Sequence, residues 1–237
     1  MAVPLYLVVV AGGSGVRMGG ELPKQFLLLD GHVVLMRSID VFRKAVPGIH
    51  VVTVLPAEWR QYWRELCAQH RFFYPQTFVE GGLTRFHSVQ NALAQIPDDA
   101  KVAVHDGVRP LLSEALVRDL FRRAETADGV VPCLPAVDTL RCLQARDGVG
   151  RASGKTLPPR SELYAVQTPQ IFDAALLKAA YTLPFEQDFT DDASVVERYV
   201  QKENLEKNIL YVPGERFNIK LTTPEDLRLA EAILAAH

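Results

Sequence analysis

The chain has 237 residues, a formal net charge of −2, and 48% hydrophobic against 23% charged residues, as in ordinary globular domains. This composition excludes collagen-like and low-complexity chains, and the near-zero charge argues against nucleic acid as a partner. The longest apolar run, Leu5 to Ala11, is far too short for a membrane span, and the three cysteines form no CxxC pair, which indicates a cytoplasmic protein with reduced thiols.

Short apolar runs alternate with amphipathic segments, a pattern that predicts βαβ units and a mostly parallel sheet. We predict strands at Leu5–Val10, His50–Leu55, Thr77–Glu80, Val102–His105 and Gly129–Leu134. Between them we predict helices at Val34–Ala45, Glu58–His70, Arg85–Ile96 and Glu114–Ala127, the last with Ser113 as its N-cap. Ligands of such sheets bind outside the carboxyl ends of the strands.

The alternation weakens between Pro135 and Pro159. Two stretches there, Thr139–Gln144 and Arg151–Leu157, predict a projecting β-hairpin with a glycine-rich tip. Irregular segments of this length are rare in compact domains, so we expect a functional segment or an arm onto a partner. Further along we predict strands near Leu163–Gln167 and at Ile209–Val212, and helices at Ala174–Tyr181, at Asp191–Val200 and from Pro224, with Thr223 as the N-cap of the last.

A glycine-rich segment, residues 11–19, directly follows the first predicted strand and reads Ala-Gly-Gly-Ser-Gly-Val-Arg-Met-Gly. The backbone N–H groups of such a loop can approach phosphate oxygens closely. The segment lacks the Gly-Lys-Ser/Thr ending of a P-loop and departs from GxGxxG, although a nicotinamide cofactor stays open as an interpretation. Arg17 and Lys24 favour a triphosphate, because two cations close to the loop suit several negative charges. A plain tight turn with exposed basic residues is the alternative.

A second glycine pair, Gly81 and Gly82, lies between a predicted strand and a predicted helix. Arg85 and Ser88 share the polar face of that helix. A helix N-terminus attracts anions or base edges, so the turn is a candidate binding element. Taken alone, the motif is explained more simply by helix capping and a solvated polar face.

The segment Asp106-Gly107-Val108-Arg109 follows a buried strand, where α/β enzymes place site residues. Asp106 is able to hold Mg²⁺ with one carboxylate while phosphates supply other oxygens, and Arg109 is able to bind a second phosphate. An Asp–Arg ion pair that closes the turn is the alternative.

Two later segments are weaker candidates. Thr190-Asp191-Asp192 is explained by capping, with Thr190 as N-cap and the acids at the positive end of the helix dipole. Lys220 lies in a short extended segment before the last helix, from which its charge can reach a site, although a lone exposed lysine is the usual explanation.

In this order, the motifs closely resemble those of the 2-C-methyl-D-erythritol 4-phosphate cytidylyltransferases. The resemblance covers nearly the whole chain and rests on the segments 11–18, 23–25, 81–89, 105–110, 138–139, 167–170, 190–194 and 218–220. It implies an α/β, Rossmann-like nucleotidyltransferase fold with a mostly parallel sheet flanked by helices. Residues 1–237 would form one cytidylyltransferase domain, with 135–159 as a projecting dimerisation β-arm.

Members of this family transfer CMP from CTP to 2-C-methyl-D-erythritol 4-phosphate and release pyrophosphate, in the non-mevalonate isoprenoid pathway. The resemblance implies that CTP is bound by Ala11, Gly12, Gly13, Ser14, Gly15, Arg17, Lys24, Gly81, Gly82, Ser88, Asp106 and Gly107. It implies that the acceptor substrate, 2-C-methyl-D-erythritol 4-phosphate, is bound by Asp106, Arg109, Thr139, Arg160, Thr190 and Lys220. Catalysis would fall to Arg17, Lys24, Arg160 and Lys220, and Asp106 would bind Mg²⁺.

The family is a homodimer in which the arm of each subunit reaches into the partner's site, so Thr139 and Arg160 would act in trans. Two positions depart from the family pattern, because Phe217 and Leu83 stand where acidic residues are common. Ribitol-5-phosphate cytidylyltransferases share much of the motif set, including a Phe before Asn-Ile-Lys, and are the alternative. The segment Arg160–Gln167 favours the methylerythritol enzymes. A nicotinamide-dependent reductase is the further alternative.

Overall fold

The computed structural model describes residues 3–13, 22–146 and 149–236. Strands within these ranges are β1 (Leu5–Val10), β2 (Leu28–Leu29), β3 (His32–Val33), β4 (His50–Leu55), β5 (Gln76–Glu80), β6 (Lys101–Asp106), β7 (Gly129–Pro135), β8 (Leu143–Arg146), β9 (Val149–Ala152), β10 (Tyr164–Val166), β11 (Gln170–Asp173) and β12 (Ile209–Pro213). Helices are α1 (Val34–Ala45), α2 (Arg60–Gln69), α3 (Arg85–Leu93), α4 (Glu114–Ala124), α5 (Ala174–Ala180), α6 (Asp192–Lys202) and α7 (Pro224–Ala235).

A mixed, mostly parallel sheet of eight strands forms the centre of the fold, in the order β10-β7-β11-β6-β1-β4-β5 with β12 beside β7. β1 is parallel to β4 and β6, β4 is parallel to β5, and β12 is parallel to β7. Only β10 and β11 among these eight run in the opposite direction. The predicted α/β fold with a mostly parallel sheet is therefore confirmed.

Helices cover both faces of the sheet. Because side chains alternate along each strand, successive residues of a strand face opposite layers. In β1, Leu7 and Val9 pack into a cluster with α1, α2 and α4, whereas Val8 packs into a second cluster with α3, α5 and α6. The helix α7 covers a smaller cluster that includes Val108 and Leu221. Among the described residues, every helix is too short or too polar to cross a bilayer.

Several predicted elements are confirmed to the residue, including β1, β4 and α1. The helix predicted to end at Ile96 ends at Leu93, and the one predicted to end at Ala127 ends at Ala124. Ser113 is the N-cap of α4, as predicted, and its hydroxyl accepts the Leu116 N–H at 3.0 Å. The strand β11, which the sequence analysis did not predict, is inserted antiparallel between β6 and β7.

The predicted hairpin of the arm exists, but its pairing is shorter and lies closer to the tip. β8 and β9 pair from Leu143 opposite Ala152 to Arg146 opposite Val149, as a sheet separate from the central one. Just outside this pairing, the Ser153 N–H donates to the Cys142 carbonyl at 3.1 Å. The other predicted strand residues, 139–142 and 153–157, are not part of the ladder.

Candidate active site

Two cavities open at the carboxyl edge of the parallel strands. The first, of about 410 Å³, is here called the loop cavity, and it is lined by Val10, Ala11, Gly12, Gly13, Lys24, Gln25, Gly82, Leu83, Thr84, Arg85, Ser88, Asp106, Val108 and Lys220. The second, of about 440 Å³, is called the helix cavity because it contains the start of α6, and it is lined by Arg85, Asp106, Arg109, Val166, Thr168, Gln170, Thr190, Asp191, Ala193, Ser194, Glu197, Tyr211 and Lys220. Arg85, Asp106 and Lys220 line both.

Asp106, at the end of β6, is the electrostatic centre of this shared wall. Its carboxylate lies 2.9 Å from Lys220 Nζ, 3.3 Å from Arg85 Nε and 3.4 Å from Arg109 Nε. Burial opposes ionisation of Asp106, but the charges of Arg85, Lys220 and Arg109 outweigh it and hold the pKa of this carboxyl well below its usual range. Arg85 also pairs with Asp192, so three cations face two carboxylates, and one net positive charge remains in this cluster for an anionic ligand.

Arg85 connects Asp106 to a second, fully buried carboxylate. Its two terminal nitrogens donate to the two oxygens of Asp192 at 3.0 and 2.7 Å. The Tyr181 hydroxyl donates to the same carboxylate at 2.6 Å, and burial together with the Asp192 charge raises the pKa of Tyr181. The solvated polar face expected for α3 is therefore wrong at Arg85, whose side chain is 24% exposed, because the ion pairs draw it inward.

The start of α6 is capped by Asp191, so the prediction of Thr190 as N-cap is wrong. Asp191 accepts the Ser194 N–H at 2.9 Å, and Gln170 donates to its other oxygen at 2.8 Å. The carboxylate at this position reaches both donors, which leaves Thr190 exposed on the rim of the helix cavity.

His105 and Thr168 support Asp106 from beneath. The Thr168 hydroxyl accepts the Asp106 N–H at 3.1 Å. The Arg109 carbonyl, 3.3 Å from His105 Nε2, can only accept, so Nε2 carries the proton of the neutral ring. His105 Nδ1 therefore accepts from the Thr168 hydroxyl at 3.1 Å. Burial lowers the pKa of His105 to about 3, so the imidazole is neutral in the physiological range.

The glycine turn between β5 and α3 is fixed by close packing. The Gly82 N–H donates to Ser88 Oγ at 3.0 Å, and that hydroxyl donates to the Thr84 carbonyl at 2.9 Å. A Cβ added to Gly82 would overlap the Cβ of His87. The turn therefore requires glycine at this position, and Ser88 holds its shape.

The structure brings most predicted site residues to these two cavities. The loop cavity receives Ala11, Gly12, Gly13, Lys24, Gly82, Ser88, Asp106 and Lys220, and the helix cavity receives Asp106, Arg109, Thr190 and Lys220. Two predicted glycines line neither cavity. Gly81 donates its N–H to the Leu55 carbonyl, and a Cβ on Gly107 would stand 2.7 Å from Leu35.

Three predicted residues, Ser14, Gly15 and Arg17, lie outside the described residues. Thr139 and Arg160 lie together in a third cavity of about 630 Å³ within the arm, which shares no lining residue with the other two. A further cavity, of about 830 Å³, lies beside α1 and α7, and its lining contains none of the predicted site residues that the structure describes.

Metal ligands are sparse in this arrangement. Across residues 3–13, 22–146 and 149–236, no group of three or more His, Cys, Asp or Glu side chains is placed to hold a metal ion. Asp106 is a hard oxygen donor that lines both cavities, and one carboxylate suffices for Mg²⁺ when substrate phosphates complete the shell. The donor set therefore fits Mg²⁺ bound jointly with a phosphorylated ligand.

The sequence analysis assigned no site role to Asp192, Thr168 or Gln25. Asp192 is the second acid of a capping motif and is separated from Arg85 by 107 positions, so no local signal links them. Gln25 follows Lys24 in a motif that had been noted, and its burial was the missing information.

Comparisons with known proteins agree with this geometry. The sequence profile described as "IspD: 2-C-methyl-D-erythritol 4-phosphate cytidylyltransferase" matches residues 5–236. Proteins named 2-C-methyl-D-erythritol 4-phosphate cytidylyltransferase are 42% identical in Phocaeicola vulgatus, covering 97% of this chain and 99% of that protein, and 44% identical in Bacteroides fragilis, covering 96% and 98%. The crystal structure of 4-diphosphocytidyl-2C-methyl-D-erythritol synthase from Anaerococcus prevotii superposes with a TM-score of 0.77 at 25% identity, covering 98% of this chain and 99% of that one.

Proposed function

The chain belongs to the 2-C-methyl-D-erythritol 4-phosphate cytidylyltransferase family, and from this premise we propose how its residues carry out the reaction. The protein is a nucleotidyltransferase that transfers CMP from CTP to 2-C-methyl-D-erythritol 4-phosphate in isoprenoid biosynthesis. The products are 4-diphosphocytidyl-2-C-methyl-D-erythritol and pyrophosphate.

The observation that carries the mechanism is the cluster of Arg85, Arg109 and Lys220 around Asp106, at the wall between two cavities. In this reaction an acceptor phosphate oxygen bonds to the α-phosphorus of CTP, and the bond from that phosphorus to the pyrophosphate oxygen breaks. A phosphate is already ionised at neutral pH, so no general base is needed. His105 is buried and neutral, and the proposed mechanism gives it no part in proton transfer.

Catalysis then consists of charge neutralisation and alignment, because one anion attacks another. In our proposal the loop cavity takes CTP, and the helix cavity takes the acceptor. Lys220, whose side chain is 41% exposed and borders both, moves from Asp106 to the phosphates as they enter. Lys24, which also lines the loop cavity, and Arg17 would add positive charge that neutralises the triphosphate.

The nucleotide would contact the backbone of Ala11, Gly12, Gly13, Ser14 and Gly15. Gly81, Gly82 and Ser88 would form the turn beside cytosine and ribose, with the Ser88 hydroxyl acting through the Gly82 N–H that it accepts. Gly107 would contribute indirectly, by allowing β6 to end against Leu35.

We propose that Asp106 holds Mg²⁺ together with phosphate oxygens. When bound, the ion would add Lewis-acid stabilisation of charge at the α-phosphate. The low pKa of Asp106 keeps the carboxylate ionised and available at any physiological pH. Its partner Lys220 would be released from the carboxylate as the ion binds.

The acceptor site would be completed by a second subunit. Arg109 and Thr190 line the helix cavity, whereas Thr139, in the arm, and Arg160, directly after it, are exposed. Exposed apolar side chains on the arm, including Val137, Leu143 and Val149, provide surface for a second copy. We therefore propose a C2 homodimer in which the arm at 135–159 carries Thr139 and places Arg160 in the partner's site.

The alternatives are disfavoured by the family membership. Phe217 is 50% exposed and lines the large cavity near α7, not the helix cavity, so its departure from the family pattern does not alter the acceptor wall. Free Cys67, Cys133 and Cys142 support the proposed cytoplasmic location.

A thermal-shift titration tests the proposed function against the nicotinamide-dependent reductase. CTP with Mg²⁺ is expected to raise the Tm and NADPH is not; the reverse result would favour the reductase.

A further inference from the structure

Gln25 is a buried polar side chain in the loop cavity to which the mechanism above assigns no role. It is 1% exposed. Its Nε2 donates to the backbone carbonyl of Ala11 at 2.7 Å and to that of Gly13 at 3.3 Å. One side chain thus holds two of the three described carbonyl groups that follow β1.

The position of this amide is fixed by its neighbour in the chain. Residues Lys24–Phe26 form a single 3₁₀ turn in which all three side chains are buried. The Phe26 ring is 2% exposed and lies 5.3–6.1 Å from three aromatic rings, those of Trp59, Tyr62 and Trp63. Because Phe26 anchors the turn in the core, Lys24 and Gln25 are presented to the loop in a fixed register.

Among the described residues, little packs against the side-chain positions of the two glycines that Gln25 contacts or spans. Within the ranges 3–13, 22–146 and 149–236, a Cβ added to Gly13 would meet nothing within 4 Å, and one added to Gly12 would meet Ser88 Oγ at 3.8 Å. Glycine backbone in such open space adopts many conformations. The two hydrogen bonds from the Gln25 amide therefore restrain residues 11–13, where side-chain packing contributes little.

The orientation of the loop carbonyls matters for an anionic ligand. Carbonyl oxygens repel phosphate oxygens, whereas N–H groups attract them. A carbonyl that accepts a hydrogen bond from Gln25 cannot turn toward the phosphates without breaking that bond.

The Gln25 side chain interacts with residues 11–13 through its amide N–H groups and not through its amide oxygen. Within the described part of the chain, Gln25 Oε1 is buried and has no hydrogen-bond partner. An unsatisfied buried acceptor is destabilising, and an apolar side chain of equal length would avoid that cost. The reversed amide would place Oε1 against the carbonyls of Ala11 and Gly13, so the donor orientation is the favourable one.

We propose that Gln25 is a positioning residue for the nucleotide, which holds the carbonyls of Ala11 and Gly13 away from the triphosphate and so preorganises residues 11–13 beside Lys24. The inference rests on the proposed function, since it takes CTP as the ligand of the loop cavity. Preorganisation reduces the entropy lost on binding, so the effect falls on CTP affinity and not on acceptor affinity.

The test compares Gln25→Met with Gln90→Met. Methionine keeps the length of glutamine and removes the amide donor. In the control, the lost bond is that from Gln90 to the Tyr181 carbonyl, at 2.8 Å, and Gln90 lines neither cavity. CTP binding is measured by calorimetry, the acceptor KM by pyrophosphate release, and stability by urea unfolding.

We expect Gln25→Met to bind CTP at least 10-fold more weakly, about 1.4 kcal/mol, with an acceptor KM within twofold of wild type. Gln90→Met is expected to bind CTP as wild type does. If Gln25→Met does not fold, Gln25→Asn, which keeps the amide but is one methylene too short, is expected to show the same loss. CTP affinity within twofold of wild type in a folded Gln25 variant overturns this inference alone. A wild-type protein that binds no CTP overturns the proposed function as well.

Discussion

Removing the charge of Asp192 is expected to destabilise the protein far more than removing the charge of an exposed aspartate. Asp192 is 0% exposed, accepts two hydrogen bonds from Arg85 at 3.0 and 2.7 Å, and accepts one from Tyr181 at 2.6 Å. In Asp192→Asn the shape is kept, but the guanidinium loses the charge that compensates its burial. Removing one partner of a buried ion pair costs about 3–5 kcal/mol.

Urea unfolding at pH 7 measures this cost directly, and the matching fall in Tm is about 6–20 °C at roughly 2–4 °C per kcal/mol. The control is Asp98→Asn, because Asp98 is 77% exposed and pairs with Lys178 at 2.6 Å. The free energy of unfolding of Asp98→Asn is expected to be less than about 1 kcal/mol below that of the wild type. Tyr181→Phe, which removes one hydrogen bond to the carboxylate, is expected to cost about 1.5–3 kcal/mol. Equal losses in Asp192→Asn and Asp98→Asn would refute the buried-pair argument.

Three other results are expected. Because the pKa of His105 is about 3 in the folded protein against 6.5 for an unperturbed histidine, the unfolded state binds more protons between these values. The free energy of unfolding of the wild type therefore falls as pH drops, and His105 contributes about 1.4 kcal/mol per pH unit to this fall. His105→Asn should lack this contribution when urea unfolding is measured at pH 6 and at pH 5. An unchanged pH dependence would contradict the lowered pKa of His105. Lys24→Ala should lower kcat far more than it raises the acceptor KM, and wild-type-like turnover in the pyrophosphate assay would remove the residue from the mechanism. Mixing Arg160→Ala with Lys24→Ala subunits should restore part of the activity, since one mixed dimer has one site with both wild-type groups; a mixture that stays inactive after subunit exchange is confirmed would exclude action in trans.

Local patterns were enough to predict the central part of the fold. β1 is a continuous apolar run, and β4 is apolar after His50 except at Thr53, because both faces of the sheet are covered. In α1 the apolar residues recur with the helical period. The strand β11 was missed for a physical reason. It has four residues, and its partners in β6 and β7 lie about 40 to 70 positions away in sequence, so its pairing leaves no local signal.

The candidate site was predicted only in part, because some of its contacts join residues far apart in the sequence. Asp106, Lys24 and Lys220 stood out because each follows a strand or turn at the expected edge. Arg85 and Asp192 each looked like part of a helix start, and only their spatial proximity across 107 positions makes them one buried pair. The cap at Asp191 was assigned one residue too early, because Thr190 and Asp191 are both good caps and the bond from Gln170 decides between them.

The most direct test of the account is pyrophosphate release by the wild-type protein with CTP and Mg²⁺. The reaction is run with 2-C-methyl-D-erythritol 4-phosphate, with ribitol 5-phosphate, and without an acceptor, and the nucleotide product is identified by mass. We predict release that depends on 2-C-methyl-D-erythritol 4-phosphate, with 4-diphosphocytidyl-2-C-methyl-D-erythritol as the product. Faster release with ribitol 5-phosphate, or no release with either acceptor, would contradict the account.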